Sequence, residues 1–184
     1  EVADWSGDTN SANVYINKYD GLIKIIDAAT TAVDGNTTAA TAITSGAAGN
    51  VDTLVSDICN ARPAKVKSAP NQVLFIGQDN FDKYVDTLNA KNLYHVNATD
   101  WANYTVSIPG KNVTLVGVVG LDGTNRMFLG TQENFFLGFD LQNDEEEFDM
   151  WYDKKDDKVY YRVKFKRGLQ VAYPNEIVEF TLAV

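Results

Sequence analysis

Few side chains in this 184-residue chain are of the kind that do chemistry. The single cysteine, Cys59, offers neither an internal disulfide nor a thiolate cluster, and the single histidine, His95, cannot build a two-histidine metal site. A nucleophilic triad would need His95 as its base, and no serine sits in a G-x-S-x-G elbow. Gly117, Gly120 and Gly123 recur every three residues, and Gly123-Thr124 has the outline of a phosphate loop. The lysine that would reach the phosphates is missing, as is the G-x-G of a dinucleotide turn, so these glycines read as turn and close-packing residues. The acidic run Asp144-Glu145-Glu146-Glu147 and the turn residues Asp153, Asp156 and Asp157 offer oxygen ligands for calcium, but neither has the central glycine of an EF-hand loop. Strand pairing and turn propensity account for them. Sequons at Asn36, Asn97, Asn103 and Asn112 carry little weight in a chain so rich in Asn and Thr. No catalytic residue, metal site or cofactor is assigned.

Composition narrows the partners. With 45% hydrophobic, 11% aromatic and 22% charged residues the chain should fold as one domain, residues 1–184. Sixteen Lys plus Arg against 25 Asp plus Glu leave a net charge of −9. That field repels phosphate backbones and anionic membranes, so neither specific nucleic-acid binding nor a membrane is expected. Apolar runs such as Val73-Leu74-Phe75-Ile76 fall far short of the roughly 20 residues that cross a bilayer. The start at Glu1, without an initiator methionine or a signal-type segment, reads as a trimmed piece of a longer chain.

Three helices are expected. Tyr15, Tyr19, Leu22, Ile23 and Ile26 recur at helical spacing, which predicts a helix from Asn13 to Ala29, with Gly21 inside it costing about 1 kcal/mol against alanine. Asn50 is placed to cap a second helix bearing Val51, Leu54, Val55, Ile58 and Cys59, ended by Pro63; its thiol points into the core as a structural group. A strand, Gln72 to Ile76, runs through Gly77 into a third helix that Asp79 can cap, with Phe81, Tyr84, Val85 and Leu88 buried. Between the first two helices, Thr30 to Gly49 is 15 parts in 20 Ala, Thr or Gly, and reads as a loop around a short strand near Thr38 to Thr44. Leu93 to Trp101 is a loop holding His95, Asp100 and Trp101. Strands follow at Tyr104 to Ile108, Val113 to Val119, Arg126 to Leu129 and Phe135 to Phe139, and two more short ones turn at Pro174-Asn175.

Asp144 to Arg167 can be tested against one hairpin register. With Lys154 to Asp157 as the turn, Asp153 faces Lys158, Trp151 faces Tyr160, Asp149 faces Arg162, Glu147 faces Lys164 and Glu145 faces Lys166. On the other face Tyr152 meets Val159, Met150 meets Tyr161 and Phe148 meets Val163, a stripe suited to packing on a core and broken only where Glu146 meets Phe165. A one-residue slip destroys both alternations. The expected fold class is therefore α+β: a mixed, mainly antiparallel sheet flanked by three helices, with a long projecting β-hairpin.

Three stretches, Gln72-Val-Leu-Phe-Ile-Gly-Gln-Asp-Asn-Phe-Asp-Lys-Tyr84, Ile108-Pro-Gly-Lys-Asn-Val-Thr-Leu-Val-Gly-Val118, and Met150-Trp-Tyr continuing to Lys166-Arg-Gly168-Leu-Gln-Val171-Ala172-Tyr-Pro174, come in this order. Together they resemble the C-terminal part of tailed-bacteriophage major capsid proteins of the Hong Kong 97 type. The last matches that family's K-x-G-x-x-V-A-x-P ending. The resemblance runs from Asn13 to Val184 and implies an axial-domain-like body over 13–143. It further implies that the hairpin and terminal strands of 144–184 return toward a peripheral domain. It implies a self-assembling structural subunit of a phage or prophage virion, not an enzyme, whose partners are copies of itself in rings of five and six. The family's arm, extended loop and spine helix would lie upstream, so this length alone is expected to be monomeric. Head-to-tail rings favour projecting hairpins of mixed charge, which makes Glu145, Glu147, Asp149, Lys154, Asp156, Arg162, Lys164 and Lys166 the subunit-contact candidates. The alternative is a secreted or cell-surface binding module presenting Trp101, Tyr104 or Trp151 to a glycan or protein.

Overall fold

A computed structural model describes residues 2–36, 40–93, 103–139, 147–164 and 167–183. Its centre is a six-stranded sheet in the order β1 (Val33–Asp34), β10 (Val178–Phe180), β5 (Met127–Thr131), β2 (Gln72–Gly77), β4 (Thr114–Val118) and β3 (Thr105–Ser107). The β1–β10 and β2–β4 junctions are parallel and the other three antiparallel, so the sheet is mixed and mainly antiparallel. Each strand alternates, and both faces are apolar. Leu74, Ile76, Leu115, Met127, Leu129, Val178 and Phe180 meet one pair of helices, α3 (Val51–Asn60) and α5 (Gln78–Ala90). Phe75, Val116 and Phe128 face the other way, toward α1 (Val2–Ser6) and α2 (Leu22–Ala29), whose Trp5, Leu22 and Ile26 are buried there. A one-turn helix, α4 (Ala64–Lys67), follows Pro63. The fold class is α+β, as the alternation of patterns along the sequence predicts.

The first helix is shorter than its spacing suggests. It begins at Leu22 with Gly21 as N-cap, and residues 14–18 are turns in which the Asn13 side chain accepts a hydrogen bond from the Tyr15 amide, at 3.0 Å. That local bond offers the backbone an alternative to helix, and Tyr15 is left 84% exposed. Lys24 donates to Asp8 and Asp20, at 2.7 Å each, and holds the Asp20 carboxyl down to about 2.

Two caps also differ from expectation. The Asn50 side chain makes no bond to the first turn of α3; its oxygen accepts from the Thr44 amide at 2.9 Å and its Nδ2 donates to the Ala42 carbonyl at 2.8 Å. It fastens the Ala/Thr/Gly stretch, which is pinned further by buried Ile43 and by Asn36 donating to the Thr181 carbonyl at 2.7 Å. The short strand in that stretch is β1 at Val33–Asp34, where Val33 pairs with Val178, and residues 40–44 are not strand. For α5 the first-turn amide of Gln78 donates to Asp122, 44 residues away, while Asp79 accepts from its own neighbour Asn80 and from Gly123. A cap from the loop after β4 ties helix position to sheet register.

Arg126 lies between Asp27 of α2 and Glu179 of β10 and bonds both carboxylates. Burial pushes the Glu179 carboxyl up, opposed by Arg126 and reinforced by Asp27. Asp34 is its strand partner across β1. A carboxyl raised on folding adds stability while protonated and loses it as pH climbs through the folded-state value. The Tm difference between Glu179→Gln and the unsubstituted protein should therefore move in the variant's favour as pH rises from below the ordinary carboxylate range to neutrality. Equal differences in calorimetry at both ends of that range would contradict this.

Candidate functional site

After Gln132 the chain forms a β-ribbon of two ladders apart from the six-stranded sheet. Its root pairs β6 (Phe135–Phe139) with β9 (Arg167–Val171), in the register Phe135 to Val171 and Phe139 to Arg167. Its outer part is the hairpin β7 (Glu147–Asp153) and β8 (Lys158–Lys164). Every pair expected within the described residues is present, from Glu147 opposite Lys164 to Asp153 opposite Lys158. Glu145 with Lys166 and Glu146 with Phe165 lie outside the described residues. Between these two ladders the sequence has seven residues, 140–146, on one side and two, 165–166, on the other, all outside the described residues. Asp144, Glu145 and Glu146 of the acidic run are among the seven, and Glu147 opens β7.

Of the contact candidates, Asp149 and Arg162 form an ion pair at 2.6 Å. Both are exposed, so it contributes at most about 1 kcal/mol and mainly fixes register. Glu147 and Lys164 are backbone partners. At the turn, Asp157 takes a left-handed φ of 50° and accepts from the Tyr152 hydroxyl, which holds that phenol's pKa up. Asp156 accepts from the Tyr160 hydroxyl at 3.1 Å, the Lys155 amide donates to Asp153 at 2.9 Å, and Lys154 is exposed. On the charged face Trp151 stacks on Tyr160 with ring centroids 5.8 Å apart.

The apolar stripe does not pack on the core as its pattern suggests. Phe148, Met150, Tyr152, Val159 and Tyr161 are all exposed. A period of two shows that one face is apolar, but not whether the same chain covers it. Tyr104 also departs from the binding reading: it packs on Phe81, ring centroids 5.5 Å apart, against the core. Trp101 and His95 lie outside the described residues.

Among the described residues, groups for other chemistry do not converge. Cys59 is buried, and desolvation pushes its thiol up. Buried Arg62 donates to the Cys59 carbonyl at 2.6 Å and to Gln72, closing the end of α3. Among the described residues, no group of three or more His, Cys, Asp or Glu could hold a metal ion. No helix there is long and apolar enough to cross a membrane.

One surface has no clear sequence signal. Beside the root, Asn71, Gln72, Thr114 and Gln132 together with Val73, Phe75 and Val116 line an open hollow of about 340 Å³ at the edge of the face that α1 and α2 cover. The strands that form it are obvious from alternation, but the bare patch depends on where the helices end.

No family's sequence model matches the chain, and no curated protein does. Among solved structures it is similar to a chain of the satellite phage P4 procapsid including the size determination (Sid) protein, with a TM-score of 0.64 and 16% sequence identity. The similarity covers 98% of this chain and 57% of that one, so this chain spans little more than half the length of its structural neighbour. Its fold is one found in a phage procapsid.

Proposed function

We propose that this chain is a structural, self-assembling part of a phage or prophage shell, the C-terminal portion of a major capsid protein of the Hong Kong 97 type. The observation that carries the reading is the fold shared over 98% of the chain with a procapsid chain. The projecting ribbon supports it, since a surface that no part of its own body covers is suited to a neighbour. In this reading residues 13–143 are the axial-domain-like body, and residues 144–184 are the hairpin and the strands returning toward a peripheral domain. Copies of the same chain are its partners in rings of five and six, it belongs to the virion, and it performs no catalysis.

The test is electron microscopy of a longer chain that contains this sequence together with upstream residues. Closed shells, or rings of five and six, are the expected result. A monomer across concentration and salt would overturn the reading.

A further inference from the structure

Three carboxyls and one guanidinium meet at the edge of the six-stranded sheet where β1 joins β10. Asp34 and Glu179 are register partners in that parallel ladder, so they stand side by side on the face that Phe128 shares. Asp27 reaches the same place from α2. Among the described residues, Arg126 is the cation bonded to them. A single nitrogen, Nη2, donates to both Asp27 and Glu179, while the buried Nε has no partner there and the guanidinium carbon lies 5.3 Å from the centre of the Phe128 ring. Asp34 accepts from the Asn36 amide at 2.8 Å, and the Thr181 hydroxyl donates to Glu179 at 3.3 Å. Lys24, one turn earlier in α2, is held instead by Asp8 and Asp20. An open hollow of about 230 Å³, lined in part by Asp34, Glu179 and Thr181, brings solvent to the cluster.

Fully ionised, the cluster sets three negative charges against one positive. Like charges directly opposite each other destabilise a strand pair, and carboxyls crowded together do not all ionise freely. Burial, and beyond it Asp27, push the Glu179 carboxyl up against the pull of Arg126. The strand under this stress is the shortest in the sheet. β1 has two residues, held by the Val33 amide on the Ile177 carbonyl and the Gly35 amide on the Glu179 carbonyl, at 2.8 Å each. We infer that Glu179 is a proton-operated latch for this edge: β1 lies closed on β10 while the carboxyl is protonated, and its ionisation beside Asp27 and Asp34 lets residues 30–36 open with the rest of the body folded. Opening makes β10 the outer strand and bares a row of its backbone groups, the kind of edge to which another strand adds. The inference concerns this chain alone and stands apart from the shell reading.

The sign follows from where the proton is held. The Glu179 carboxyl is raised in the closed state and ordinary in the open one, so closure is fully favoured below the ordinary carboxylate range and weakens as pH climbs through the closed-state value. Backbone amide exchange by NMR, corrected for the intrinsic pH dependence of exchange, reads this residue by residue. Protection of the Val33 and Gly35 amides is expected to fall roughly threefold or more from the acid side of that range to neutrality. Low urea separates local from global opening. A local opening exposes little surface and hardly responds to urea, whereas amides that exchange through global unfolding follow it. Val33 and Gly35 should therefore be less protected than Leu74 and Phe75 in the central strand β2, and insensitive to urea.

Glu179→Gln keeps an acceptor for Arg126 and cannot ionise, so protection at Val33 and Gly35 should not fall with pH in that variant. Asp27→Asn, at an exposed position of α2, removes one of the repelling charges and should shrink the fall. Circular dichroism confirms that each variant is folded, and Asp27→Asn keeps the test valid if Glu179→Gln is not. Protection at Val33 and Gly35 that is flat across pH in the unsubstituted chain overturns the inference, as does a fall that the folded variants leave unchanged. Exchange of Val33 and Gly35 with the protection and urea dependence of Leu74 would mean that the edge opens only when the whole domain unfolds, and overturns it too.

Discussion

Trp5→Ala is expected to lower stability by about 3–5 kcal/mol, the usual cost of emptying a buried aromatic site. For a domain of this size that is a fall of roughly 6–20 °C in Tm. Trp5 is 5% exposed, with ring centroids 5.0 Å from Phe75 and 5.8 Å from Phe128, and Phe135 meets Phe75 edge-on at 5.4 Å. The indole is thus the middle of an aromatic row on the sheet's second face. The helix that carries it has five residues, too few to persist without its side-chain anchor. Losing that anchor also loosens the polar clasp in which Asp4 accepts from the Tyr19 hydroxyl and from Arg167 at the ribbon's root. Trp5→Phe should retain most of the stability. Thermal and urea unfolding check both, and a loss below about 1 kcal/mol for the alanine variant would show that the N-terminal segment is peripheral to the fold.

Which features are legible in the sequence follows from the range of the forces that set them. The hairpin register is readable residue by residue, because alternation on one face and opposite charges on the other agree on a single pairing from Glu147–Lys164 to Asp153–Lys158. The strand-to-helix passage at Gly77 and the buried faces of α3 and α5 are readable for the same reason: burial there repeats with the period of the element. Features set by residues far apart are not. Asp122 capping α5, Asn50 serving Thr44 and not its own helix, and Trp5 anchoring a five-residue helix all depend on tertiary neighbours. The candidate site divides along the same line. The ribbon and its two faces are local pattern, but the exposure of Phe148, Met150 and Tyr161, and the bare hollow at Val73 and Thr114, are properties of the assembled body.

Gly21→Ala separates the local and tertiary readings by sign. If Gly21 sat within a helix, alanine would add about 1 kcal/mol of stability. In the structure it is the N-cap of α2, and its amide donates to the Gly7 carbonyl at 2.9 Å, drawing the two backbones together. A Cβ there would lie 2.4 Å from the Trp5 carbonyl oxygen and 2.6 Å from the Gly7 nitrogen. Both are backbone atoms that no rotamer change can move aside. The expected result is a loss of about 1–3 kcal/mol, the range for overpacking a tight contact. Gly168, with nothing within 4 Å of the same construction, should accept alanine with little change. The clash is with the segment that Trp5 holds in place, so once Trp5→Ala has loosened that segment, adding Gly21→Ala should cost less than it does alone. Additive losses in the double variant would mean that α1 stays seated without its indole.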